Sequence, residues 1–209
     1  MRSLLSLSLL VAAAVPALAA CGDPDPSGGV CPEVASVDAG DLAALKAQRC
    51  NVPGTMGAKN WYRLSATLPG STDVVQVELW PERGAFRGGP VHTGTFALTG
   101  DDLSYATCGV CVRALGDKGE ASQREYFAIA GTVEVSAVAA TDGAPFVATI
   151  TEASFAEVTA DHVEVAGGCS ADLARAKITG AVMIQGGGGG GGGGGGSGGS
   201  GGCLTTVGD

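Results

Sequence analysis

Two cysteines three residues apart, Cys108-Gly-Val-Cys111, are the best-spaced reactive groups in this chain. In a thioredoxin-like site the first thiol of such a pair sits at a helix N-terminus, which lowers its pKa and makes it a nucleophile. The flanks here argue otherwise. Tyr105-Ala-Thr reads as strand, Val112-Arg-Ala-Leu-Gly-Asp-Lys-Gly carries no amphipathic helix, and no βαβ pattern surrounds the pair. On an unbroken strand the two Cα atoms stand roughly 10 Å apart at 3.3 Å per residue, beyond the ~7 Å that a disulfide spans. Only a break at Gly109 lets them bond each other. Of the seven cysteines, Cys21 follows directly on an apolar run; Cys31, Cys50, Cys108, Cys111, Cys169 and Cys203 remain, an even set. In an exported chain such a set predicts three disulfides. About fifteen pairings are open to six cysteines; apart from Cys108 and Cys111, the most local pair is Cys31 and Cys50, which bracket the one helical segment.

Other chemistry needs other residues. Paired carboxylates can hydrolyse a glycoside without any sequence signature, because the fold sets their separation; Asp101 and Asp102 in "TGDDLS" and Glu78 on a strand are the candidates. The same residues serve equally well as turn formers and solvated faces. His92 and His162 are the only imidazoles, so a site using two histidines needs both. The chain carries no HExxH, no G-x-S-x-G, no Walker motif and no Cys-His spacing for zinc. Asp101-Asp102 and Asp161 lie in acidic turns, and Asp23-Pro-Asp25 is interrupted by proline; none alternates oxygen ligands as a calcium loop does. Trp61, Tyr62 and Trp80 could line a sugar platform, although strand aromatics commonly belong to a core. We therefore expect no catalytic residue, no metal and no cofactor. The expected role is a non-enzymatic structural or binding module. The alternatives are an envelope hydrolase with paired carboxylates and a thiol–disulfide protein using Cys108 and Cys111.

The elements that would position these residues are mostly strands. Asp38-Ala-Gly-Asp41 offers an N-cap, Leu42 and Leu45 are three apart, and Lys46 and Arg49 fall in a last turn, so the spacing predicts one short helix ending at Cys50. After Pro53-Gly54 the apolar period becomes two: Trp61–Leu68, Val74–Trp80, Val91–Thr99, Leu103–Ala114, Tyr126–Ala139, Phe146–Val158 and Lys177–Ile184, with Gly, Pro and Asp at the turns between them. This predicts an all-β fold: a single antiparallel β-sandwich or barrel-like domain with one short N-terminal helix, stapled by disulfides. Few aromatics and many Ala, Val and Thr imply a core of small and β-branched side chains. Fifteen of the 36 glycines fall within the 17 residues 186–202. No Lys-Ser/Thr follows them, so they cannot form a phosphate-binding loop, and they read as a disordered coil with a span of about 23 Å.

The N-terminus decides where the chain goes. Arg2 precedes the apolar run Leu4–Val15, Pro16 breaks it, and small residues follow. That is signal-peptide grammar rather than a membrane span of roughly 20 apolar residues. Leu18-Ala-Ala-Cys21 looks like the lipobox of bacterial lipoproteins, which implies that Cys21 becomes the first mature residue and carries acyl chains. Two or more acyl chains hold a protein stably on a bilayer, at ~0.8 kcal/mol per buried methylene. The expected partner is thus the membrane itself, through the acyl chains on Cys21, with an envelope glycan or protein as a further partner. Removing residues 1–20 deletes Arg2 and no acid, taking the formal charge from −9 to −10; nucleic acid is excluded as a partner, because its recognition needs a basic footprint. The organisation expected is a signal peptide over 1–20, a lipidated tether over 21–30, a β-rich domain over 31–185, the glycine tract over 186–202 and a tail over 203–209. Gly22, which is not the Asp that retains many lipoproteins at the inner membrane, points to the outer membrane, facing periplasm or cell surface.

At "TGTFALTGDDLSYATCGVCV", "YFAIAGTVEVS" and the Gly-Gly-Cys ending at Cys169, the chain resembles an uncharacterised family of predicted lipoproteins of myxobacterial type. The likeness covers roughly residues 85–185 and does not extend to the glycine tract. It implies a β-rich exported fold and supplies no activity.

Overall fold

The computed structural model describes residues 36–52 and 59–185. Cys21, Cys31 and Cys203, the leader, the tether, the glycine tract and the tail lie outside the described residues. Ten strands are described: β1 (Val37–Ala43), β2 (Lys46–Val52), β3 (Lys59–Thr67), β4 (Val74–Leu79), β5 (Gly94–Ala97), β6 (Val110–Gly116), β7 (Arg124–Ala137), β8 (Pro145–Val158), β9 (Ser170–Ala181) and β10 (Met183–Gln185). Two single 3-10 turns, Gly84–Phe86 and Gly100–Leu103, lie in the excursion between β4 and β6.

The strands form one sheet in the order β1-β9-β8-β7-β6-β4-β3-β2-β10, with β5 added beside β7. Most neighbours run antiparallel, but β1 lies parallel to β9 and β10 parallel to β2. The sheet is therefore mixed, where the turn pattern had suggested an antiparallel one. The parallel pairs arise because two long segments run side by side twice. β1 passes through Ala44 and Leu45 into β2, and β9 passes through Val182 into β10. Ala43 stands opposite Thr179, and five residues later Gln48 stands opposite Met183. At the joint the Ala44 N–H donates to the Thr179 carbonyl at 2.9 Å and the next N–H, of Leu45, donates to the Ser65 carbonyl at 2.8 Å. Two consecutive amides thus bond to different strands, and the sheet is curled into a half-barrel.

The helix expected from Asp38 to Cys50 is absent; β1 and β2 occupy that stretch. Its leucines explain why. Leu42 packs against the core while Leu45 is exposed, so the spacing of three does not mark one buried face. The Asp38 carboxylate does not cap a helix; it accepts the Gly40 N–H at 3.0 Å, and Gly40 has φ +65°, a kink that shifts the register of β1 against β9. Pairing with β9 on one side and β3 on the other satisfies the backbone donors that a lone helix turn would leave open. A strand through Leu103 is also replaced: Gly100–Leu103 is a 3-10 turn and β6 starts only at Val110.

The two 14-residue strands β7 and β8 bend around the core at bulges near Gly131, where the register shifts twice. Gly131 has φ +131°, and a Cβ there would lie 2.8 Å from the Ala153 Cα. Inside the curve sit Leu64, Val77, Val112, Phe146, Ile150 and Ile178, joined by many alanines and valines, as the composition implies. The strand-switching joint is sealed at Gly180, where an added Cβ would approach the Ala44 and Ala47 Cβ atoms to 2.6 and 2.7 Å. Gly180→Val should therefore cost about 1–3 kcal/mol through overpacking, read as a lower urea midpoint at unchanged slope. An unaltered midpoint would show that the joint has room to spare.

Candidate functional site

The outer face of β2, β3, β4 and β6 is polar yet closed to water. Cross-strand register lines up Gln48 with Arg63, Arg63 with Glu78, and Glu78 with Cys111; one step along, Ser65 faces Gln76 and Gln76 faces Arg113. Gln48, Arg63, Ser65, Gln76 and Glu78 are all 0 % exposed. Buried charge is tolerated only where it is paired and hydrogen-bonded, and Glu78 meets that condition fully. Its carboxylate accepts from Gln76 Nε2 at 2.6 Å, Trp80 Nε1 at 3.0 Å, Arg113 Nη1 at 3.2 Å and the Tyr105 hydroxyl at 3.3 Å. Arg113 also pairs with Glu125, and its guanidinium lies 4.6 Å from the Tyr105 ring centre. Arg63 Nε donates to Gln48 Oε1 at 2.8 Å. Trp61 packs against Trp80 at 5.2 Å, and Arg83 covers Trp80 at 4.8 Å.

Burial and the neighbouring Glu78 charge push the Tyr105 hydroxyl up to about 12, so it remains a donor to that carboxylate. His162 stacks 4.0 Å from Tyr105, with Nδ1 3.5 Å from Glu125 Oε1. Burial first, and the Arg113 charge second, hold its pKa below the usual histidine value.

The residues singled out from the sequence that fall among the described ones can now be placed. Cys108 and Cys111 are bonded to each other, with Cα atoms 5.4 Å apart. The strand breaks before Val110, which is the one geometry that allows it. Asp102 enforces the break: its buried carboxylate accepts N–H groups from Gly109 at 2.7 Å, Val110 at 3.1 Å and Ala85 at 3.3 Å. Gly109 cannot be replaced, since a Cβ would stand 2.2 Å from the Arg83 carbonyl oxygen. Both cysteines are 0 % exposed, and no helix begins at Cys108. The pair therefore lacks the accessible, helix-activated thiol of a redox site. Cys50 and Cys169 are disulfide-bonded too.

Asp101 pairs with Arg87 on the surface, and both Asp101 and Asp102 line an open cleft beside Gly84, Thr95 and Phe96, where Asp102 Oδ1 is taken up by backbone N–H groups; Glu78 is fully buried in its hydrogen-bond network. Asp161 is exposed. His92 belongs to a separate aromatic group, 5.2 Å from Phe86 and 5.6 Å from Phe96. Trp61 and Tyr62 are buried on opposite faces of β3 and Trp80 is half-buried, so the three do not make an exposed platform. Among the described residues no group of three His, Cys, Asp or Glu is placed to hold a metal ion, and no helix is long and apolar enough to cross a membrane.

One site the sequence did not announce lies on the other face, at an end of the half-barrel. A cavity of about 140 Å³ opens between the β3–β4 turn, the β6–β7 end and the start of β9. Val75, Ala114, Tyr126, Phe155 and Leu173 form its apolar wall, and Asp73, Asp117 and Asp172 stand at its rim. Its only sequence signal is Gly116, where a Cβ would come within 3.2 Å of the Tyr126 ring. Burial, and then the charge of Glu157, raise the Tyr126 pKa; Asp117 and Asp73 add to this, while Arg124 opposes it.

No protein-family model, curated protein or solved structure matches the chain. Two expectations follow from the charge layer. Arg113→Met should cost about 3–5 kcal/mol, because it strands Glu78 and Glu125 without their cation. Adding Glu78→Met should recover part of that loss in a double-mutant cycle; strict additivity would mean the pair is not coupled. For His162 a depressed folded pKa means that the unfolded chain binds more protons, so its contribution to stability is full above about pH 6.5 and is lost as pH falls below that. Wild-type Tm should thus drop more between pH 7.5 and 5.5 than that of His162→Gln, whereas parallel curves would count against the assignment.

Proposed function

We propose that this protein is a lipid-anchored cell-envelope lipoprotein whose β-domain is a non-enzymatic binding module. Leu18-Ala-Ala-Cys21 directly after the apolar run supports the anchor, and the Pro- and Gly-rich segment up to residue 30 supports a tether between acyl chains and domain. Gly22 favours the outer membrane. The observation that carries the binding reading is the division of labour among polar groups. Glu78 and the Cys108–Cys111 pair are consumed in holding cation and strand end, and Asp102 Oδ1 in holding three backbone N–H groups. The end cavity, by contrast, combines an apolar wall with polar groups at its rim, the usual make-up of a ligand site at the mouth of a barrel.

The anchor is tested in cells producing the full chain. Wild-type protein should stay with salt-washed membranes and show an intact mass lacking residues 1–20 and increased by the acyl groups on Cys21. Cys21→Ser should move to the soluble fraction without that mass. Retention of Cys21→Ser in the washed membrane would remove the anchor from the reading.

A further inference from the structure

The end cavity offers more than space. Its wall is built from inner-face side chains of four sides of the curl: Val75 on β4, Ala114 on β6, Tyr126 on β7 and Leu173 on β9, with Phe155 on β8 between the last two. A volume of about 140 Å³ is well below the ~300–1,000 Å³ of sites that take whole drug-sized ligands, and close to the ~150 Å³ that accepts a benzene-sized group. The occupant is therefore one side-chain-sized apolar group.

The rim specifies what that group carries. Asp73 Oδ1 accepts the Asp117 N–H at 2.8 Å and Asp172 Oδ1 accepts the Ser154 hydroxyl at 2.7 Å. The second oxygens of Asp73 and Asp172, and the Asp117 carboxylate, take no hydrogen bond from the described residues. No lysine or arginine lines the cavity. Arg124, near it in sequence, pairs with Glu157 at 2.8 Å. Tyr126, only 8 % exposed, lines the wall. An anion would be repelled here, and a purely apolar ligand would leave three carboxylates unused. A cation on a short apolar stem meets both demands at once.

We propose that this cavity binds a short alkylammonium group, its stem against Val75, Ala114 and Leu173 and its ammonium among Asp73, Asp117 and Asp172. The assignment rests on the reading of the domain as a binding module and names the ligand class of that module. The same chemistry is presented by a free alkylamine and by a lysine side chain of a peptide.

The test uses the full acylated protein in nanodiscs of zwitterionic lipid, with backbone amide shifts of Gly116, Asp117, Ala171 and Leu173 as the readout. Pentylammonium should shift these amides saturably, about tenfold more tightly than pentan-1-ol, as expected for a few partly exposed ion pairs, and pentanoate should not bind. Added salt should weaken the binding. Ala114→Leu, which fills the cavity, should abolish it. Asp117→Asn/Asp172→Asn, which leaves the cavity open, should bring pentylammonium close to pentan-1-ol. A capped Gly-Lys-Gly peptide binding more tightly than pentylammonium assigns the group to a polypeptide, and weaker binding assigns it to a free amine; both keep the ligand class. Equal binding of pentan-1-ol and pentylammonium would overturn the cation while leaving a binding module in place. Failure of all three small probes would remove the cavity as a site, and the binding reading with it.

Discussion

Arg113 lies in a wall that is shut off from water on both faces, and much of the architecture follows from keeping that cation paired. β4 has no exposed residue from Val74 to Leu79, so its alternation is not apolar against wet but apolar against polar, with both layers buried. A guanidinium in that position is tolerable only with carboxylates and further donors arranged around it. Glu78 comes from the neighbouring strand, Glu125 from the start of β7, and Tyr105 from the loop that also carries the cysteine bridge. Three separate stretches of chain are thus tied to one charged group. The gain lies in specificity of register rather than in net energy, since a well-packed apolar replacement of such a pair is often as stable.

That layer also explains which parts of the fold could be read from the sequence. Strands β3, β4, β7 and β8 were legible within a residue or two, because alternation and Gly, Pro or Asp turns coincide there. β1 and β2 were not. The segment Asp38–Arg49 carries the local marks of a helix, and pairing with β9, β10 and β3 overrides them, contacts that no local spacing records. The 3-10 turn at Gly100–Leu103 was hidden for a related reason: Asp102 looks like a solvated turn residue but is buried to collect three backbone N–H groups. Its effect decides the fate of the cysteine pair, since the break at Gly109 turns two thiols that an unbroken strand would hold apart into a bridge. Glu78 was singled out by type as a candidate acid, and the structure gives it four hydrogen-bond donors instead of a substrate. The end cavity was not legible at all, because its wall draws single residues from five strands.

The two faces of the wall are not independent. Val75 and Ala114, which line the cavity, face each other across β4 and β6, and the next pair along is Gln76 and Arg113, which belong to the charge layer on the other side. Because side chains alternate with a period of two, a slip of one residue between these strands would drive the guanidinium into the core and open the apolar wall to the outer face. Pairing of Arg113 with Glu78 and Glu125 penalises that slip heavily, whereas apolar contacts between small residues such as Val and Ala tolerate it far better. The buried charges therefore act on the cavity without touching it. They fix the one register in which Val75, Ala114 and Tyr126 converge beneath the aspartates of the rim, and a wall of valine and alanine alone would lack a comparable means of holding that shape.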